Sequence, residues 1–143
     1  MEILYSLLCE GASVGEEDRL DIEGVLHELY APGFPARQKE LALVTTIEWG
    51  PGERGRIEFQ VELLDPDGDL VGGIHGATTV TEVEGLIGVP ARPRTRAVMP
   101  LGDVVFPFEG TYRFELVMNG ERHHLARLAL IDRARMTAFA AKA

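Results

Sequence analysis

The sequence predicts an all-β fold, an antiparallel β-sandwich of about eight strands, immunoglobulin-like or C2-like, with a short C-terminal tail. Three observations carry this. Apolar residues recur with period two in several short runs. Gly, Pro, Asn and Asp punctuate those runs at regular spacing. No stretch before residue 132 sustains a long 3.6-residue period. Many short alternating strands joined by Gly/Pro turns indicate a sandwich or barrel.

The clearest strand is 56–63. Ile57, Phe59, Val61 and Leu63 alternate with Arg56, Glu58, Gln60 and Glu62. Successive strand side chains point to opposite faces, so this pattern fits a half-buried strand. Residues 111–118 repeat it: Tyr112, Phe114, Leu116 and Met118 face inward, and Thr111, Arg113 and Glu115 face outward. Val117 breaks the polar face, which points to partial cover on that side.

The turns follow from residue chemistry. In Asp65-Pro66-Asp67-Gly68, Pro sits where φ near −65° is wanted and Gly where φ must be positive. This turn joins a strand over 55–64 to one over 69–81. Asn119-Gly120 is a hairpin signal joining 111–118 to 121–131. Further breaks at Gly11–Gly15, Pro32–Pro35, Gly50–Gly52 and Pro90–Pro93 delimit strands at 2–9, 19–30, 39–49 and 94–105. Residues 1–131 are thus read as one domain and 132–143 as a tail, a short helix or a frayed end. The expected core is Ile3, Tyr5, Leu7, Ile22, Leu41, Leu43, Ile47, Ile57, Phe59, Val61, Leu63, Tyr112, Phe114, Leu116, Leu128 and Leu130. Burying each is worth roughly 1.5–3 kcal/mol against full exposure, a gain largely offset by chain entropy.

The 143 residues carry a net charge of −9 and one cysteine. The acidic balance argues against a generic nucleic-acid binder. One Cys excludes an internal disulfide framework. The opening stretch is flanked by Glu2 and Glu10 rather than a basic segment, and no run reaches the ~20 apolar residues of a membrane span. The expectation is a cytoplasmic protein without membrane or nucleic-acid partners. The charge is uneven: residues 1–91 hold 5 basic and 18 acidic side chains, and 92–143 hold 9 basic and 5 acidic.

Two stretches carry a resemblance. One is Phe106 to Leu116 with the following Asn119-Gly120-Glu121. The other is the opening, with Leu8-Cys9-Glu10, Leu20 to Val25 and Tyr30 to Pro35. Together they resemble a family of small bacterial single-domain β-sandwich proteins of unknown function, over roughly residues 2–131. The resemblance implies the fold and no activity, cofactor or catalytic residue. Independently, Gly110-Thr111-Tyr112 predicts a sharp strand entry in which the Tyr112 ring packs inward and its hydroxyl reaches backbone near the turn, as in a tyrosine corner.

Candidate sites divide by chemistry. Asp65, Asp67 and Asp69 place carboxylates at Ca²⁺-ligand spacing, with Glu16, Glu17, Asp18 or Asp103 as possible additions; the competing reading is a turn chosen for its geometry. His123 and His124 are neighbours, so in a regular strand they face opposite ways and need a bulge to share a metal. His27 and His75 are isolated, and Cys9 reads as a small buried hydrophobe. There is no Gly-x-Ser-x-Gly elbow around Ser6 or Ser13. Neither Gly11–Gly15 nor Gly72–Gly76 matches a phosphate or dinucleotide loop. Arg92, Arg94 and Arg96 recur on one strand face. Arg94, Arg96, Arg113 and Arg127, with Arg122 nearby, form a candidate partner-binding patch if their strands are neighbours; otherwise Arg94 and Arg96 guard an edge strand. Trp49 and Phe34 either mark a ligand site or cap the core.

A complete scaffold without a catalytic constellation favours a non-enzymatic interaction or accessory module, acting on a protein partner or as a homodimer. The alternatives are a calcium- or ligand-binding module using the Asp65–Asp69 turn, and a small hydrolase using carboxylates or His123 and His124. No cofactor is expected.

Overall fold

The computed structural model describes residues 1–85, 88 and 91–134. Three groups of strands build it. A four-stranded sheet has the order β2-β1-β5-β8: β2 is Leu20–Leu26, β1 Glu2–Val14, β5 Ala42–Glu48 and β8 Arg94–Pro100. A five-stranded sheet has the order β3-β11-β10-β6-β7: β3 is Glu28–Ala31, β11 Glu121–Asp132, β10 Gly110–Met118, β6 Gly55–Leu64 and β7 Leu70–Val80. A small pair joins β4, Ala36–Gln38, to β9, Val104–Phe106. The fold is all-β. Leu8, Leu43, Ile47 and Trp49 from the first sheet share one core with Val61, Tyr112, Phe114, Leu116 and Leu128 from the second and Phe106 from the third.

Both predicted hairpins form. The Asp65–Gly68 turn joins β6 to β7 in antiparallel register, with Gly68 at φ +87°. Asn119 and Gly120, at φ +53° and +76°, join β10 to β11. Both residues thus have the positive φ that a type I′ turn demands.

The long predicted strands are subdivided, giving eleven among the described residues where about eight were expected. The run 19–30 breaks at His27, and its two halves serve different sheets. β2 pairs with β1, while β3 crosses to the far edge of the second sheet and pairs with β11. That pairing is parallel, so the second sheet is mixed rather than wholly antiparallel. The run 94–105 breaks at 101–103, where the Leu101 amide donates to the Leu41 carbonyl at 2.8 Å.

The expected inward set of β1 is also corrected. The β1–β5 register shifts between Ile3 and Tyr5. One extra residue reverses every later side chain. Ile3 stays against the core, Leu8 becomes fully buried, and Tyr5 is left 41% exposed. Leu7 and the half-buried Ile22 pack instead with Cys9, Ala42 and Val44, a second apolar cluster. Beyond β11 the backbone is helical at Arg133 and Ala134. The Asp132 carboxylate accepts from the Ala134 amide at 2.9 Å. The rest of the predicted tail, 135–143, lies outside the described residues.

Candidate functional site

The Asp65–Asp69 turn is closed by its own groups. The Asp65 Oδ1 accepts from the Asp67 and Asp69 amides, each at 2.9 Å. The Asp65 amide donates to the Asp69 carbonyl at 2.8 Å, and the Gly68 amide to the Asp65 carbonyl at 2.9 Å. Asp65 is only 8% exposed. Its carboxylate therefore does the work of an Asx turn. Among the described residues, no three His, Cys, Asp or Glu side chains converge as metal ligands. Pro66 lies over the entrance of β10: a Cβ on Gly110, whose φ is +135°, would sit 2.5 Å from the Pro66 Cγ. Behind that contact, the Tyr112 hydroxyl donates to the Phe108 carbonyl at 2.6 Å and accepts from the Phe108 amide at 3.2 Å. The expected tyrosine corner is present.

The four candidate arginines fall into two pairs in different sheets. Arg94 and Arg96 lie on β8, the edge of the four-stranded sheet. Arg113 and Arg127 face each other across β10 and β11 in the five-stranded sheet. Arg94 Nε is 3.0 Å from Glu48 Oε2, and Arg92 reaches the same carboxylate at 3.9 Å. One continuous arginine patch therefore does not form, because the strands that hold it do not pair.

The remaining candidates are dispersed. A register shift does interrupt β10–β11, but it falls just beyond the histidines. It buries the adjacent Leu125 and Ala126 and leaves His123 opposite Leu116 and His124 opposite Glu115. Cys9 is buried, its Sγ 3.7 Å from the Ala42 carbonyl, and burial pushes its thiol up. Trp49 is 1% exposed, and its indole donates to Thr95 Oγ1 at 2.8 Å. Phe34 packs against the core margin. Both aromatics close the core.

Two features escaped the reading of the residues. On the outer face of the five-stranded sheet, Glu62 and Glu115 stand directly opposite each other. Arg122 bridges them, 2.6 Å from Glu62 Oε1 and 3.6 Å from Glu115 Oε2. Glu62 is only 9% exposed, so the arginine relieves a like-charge pair at a poorly solvated position. The two carboxylates, Glu62 foremost, hold Arg122 more firmly in its charged form.

The second feature is the edge of β7. Natural sheets guard their edges with charge, proline, bulges or shortness. β2 carries Asp21 and Glu23, β8 carries Arg94, Arg96 and Pro100, and β3 has four residues. β7 has eleven residues, Leu-Val-Gly-Gly-Ile-His-Gly-Ala-Thr-Thr-Val, with no charged side chain and no proline. A register shift at Val71 interrupts only the start of its pairing, and Gly72–Val80 pairs with β6 in unbroken register. Among the described residues, no strand pairs with its far side. Beside it lies a cleft of about 340 Å³, walled by Val61, Leu63, Val71, Ile74, Leu101 and Phe114. The cleft runs between β6–β7 and the segment leading into β9, at the open flank of the sandwich. Gly72 lines it too, and a Cβ there would meet nothing within 4 Å.

A family model covers residues 4–131. The chain belongs to DUF6941, a family of unknown function. The family spans every strand from β1 through most of β11, so the tyrosine corner, the acidic turn and the β7 edge all lie inside it. No curated protein and no solved structure matches the chain. Among the described residues, no helix is long and apolar enough to cross a membrane.

Proposed function

We propose that this DUF6941 protein is a non-enzymatic interaction module whose docking element is the edge of β7, unpaired among the described residues. The observation that carries the reading is the contrast among the four edges of the two larger sheets. Three are blunted by charge, proline or shortness. The longest carries neither charge nor proline, and its one irregularity is the register shift at Val71, near its start. An exposed row of backbone donors and acceptors is a template for another strand. Keeping Gly72–Val80 free of charge, proline and bulge carries an aggregation hazard, and use of the edge by a partner accounts for its retention. The adjoining apolar cleft supports the same reading, because alternate side chains of an added strand need somewhere to go.

The acidic turn favours a structural role. Asp65 spends its carboxylate on two amides of its own turn, so the calcium reading gains no support from that geometry.

Photo-crosslinking in the native host tests the module. A benzophenone side chain is placed at His75 on β7, and at Arg127, three strands away in the same sheet. The reading expects an adduct with one identified protein at His75 and not at Arg127. No adduct at His75 above the control position overturns it.

A further inference from the structure

The occupant of the β7 edge can be narrowed by charge. From Ile57 to Ala91 the chain contains no Lys or Arg and seven acidic residues. Asp67 and Asp69 precede β7, and Glu82 and Glu84 follow it. Neighbouring cations answer this only in part. Arg54 pairs with Glu82 at 2.6 Å, and Arg113 Nη2 would lie 3.8 Å from a Cβ on Gly68. Within the cleft wall, Asp103 is paired with Arg37 at 2.9 Å.

This distribution decides against a second copy of the chain. Two β7 strands paired antiparallel bring Asp67 and Asp69 of one copy beside Glu82 and Glu84 of the other. Paired parallel, each acidic end meets its own duplicate. Either way like charges meet, and like-charge juxtaposition penalises the wrong partner. At both ends of the strand acidic charge outweighs the cations beside it, and a basic partner supplies the rest.

Apolar surface gives the rest of the description. Leu70, at the start of β7, is the most exposed large apolar side chain among the described residues, at 59%. Val105 stands half-exposed in the wall of the cleft. In the same wall the inward side of β7 is cut back to glycine at 72, which leaves room for an incoming side chain.

We propose that an extended segment of a partner protein, apolar at alternate positions and flanked by Lys or Arg, adds to β7 as a sixth strand and sets its apolar side chains into the cleft. This rests on the reading of β7 as a docking edge and adds the chemistry of what docks. Main-chain pairing gives such complexes affinity, and pockets for alternate side chains give them specificity.

A displayed library of random segments of about ten residues, panned against the full chain, supplies the test. Enriched sequences are expected to alternate apolar and polar residues between basic ends. Exchanging those ends for Glu is expected to weaken binding by about tenfold or more. Gly72→Val, which fills the cleft from open space, is expected to weaken it similarly while melting at or above the wild-type temperature. Amide hydrogen exchange with the bound segment is expected to slow within Leu70–Val80. Acidic or unpatterned segments, or binding indifferent to the Glu ends or to Gly72→Val, overturn the partner chemistry even where β7 is protected. Protection elsewhere, or no enrichment, overturns that chemistry together with the docking edge beneath it.

Discussion

The Tyr112 hydroxyl holds both backbone groups of Phe108, donating to its carbonyl at 2.6 Å and accepting from its amide at 3.2 Å. The ring meanwhile packs edge-on against Phe106, centroids 4.9 Å apart. One side chain thus ties the loop before β10 to the centre of the core. Tyr112→Phe keeps the ring and removes both hydrogen bonds. We expect it to cost roughly 1–2 kcal/mol, read from urea unfolding with an unchanged m-value. A loss below a few tenths of a kcal/mol contradicts this role.

The same residue sets a pH dependence. Burial pushes the Tyr112 phenol up, and Asp65 adds to that, against the smaller opposing effect of the Phe108 hydrogen bond. A group with a raised folded pKa contributes stability that is fully present below its unfolded value, about 10 for Tyr. That stability is lost as pH rises through the folded value. Stability measured up the alkaline range should therefore fall more steeply in wild type than in Tyr112→Phe. Parallel curves refute the assignment.

Two glycines should respond in opposite directions. Gly110 has φ +135° and Pro66 against it, so Gly110→Ala must bear both a strained backbone and a clash. The expected loss is about 2 kcal/mol or more. Gly72 has open space where a Cβ would lie, within a strand. Gly72→Val should be neutral or stabilising by up to about 1 kcal/mol. Thermal melting of the two variants decides both.

Arg122 should be needed only while Glu62 and Glu115 are both charged. Arg122→Ala leaves two carboxylates opposed across β6 and β10. It is expected to destabilise, and Glu62→Gln in that background to recover much of the loss. A double-mutant cycle measures the coupling. Additive single effects contradict the bridge.

Cys9 is expected to be inert in the native state, being buried with its thiol pushed up. A thiol reagent should label it in urea far faster than in buffer. Equal rates contradict the burial.

What was legible in the residues was local. The alternation at 56–63 and 111–118, the Asp65–Gly68 turn and the Asn119-Gly120 hairpin each need only a few adjacent positions, because pleat and turn geometry act over two to four residues. The Tyr112 corner was readable for the same reason. The inversion at Tyr5 and Leu7 was not, since a one-residue slip in pairing leaves no mark in an apolar run such as Ile3-Leu4-Tyr5. Nor was the division of Arg94 and Arg96 from Arg113 and Arg127, which depends on strand order across the whole fold. The β7 edge had a signal in the absence of any Lys or Arg between Ile57 and Ala91, but charge missing from a strand has meaning only once that strand is known to lie at an edge.

Native-state hydrogen exchange of the free protein, resolved residue by residue, tests the central claim that β7 offers an open edge. In an edge strand alternate amides pair inward and the others face solvent. Across Gly72–Val80 exchange should alternate between protected and fast amides, whereas Arg113–Val117 of β10, paired on both sides, should be protected throughout. Uniform protection along β7 would mean that its edge is already covered, and would contradict the account.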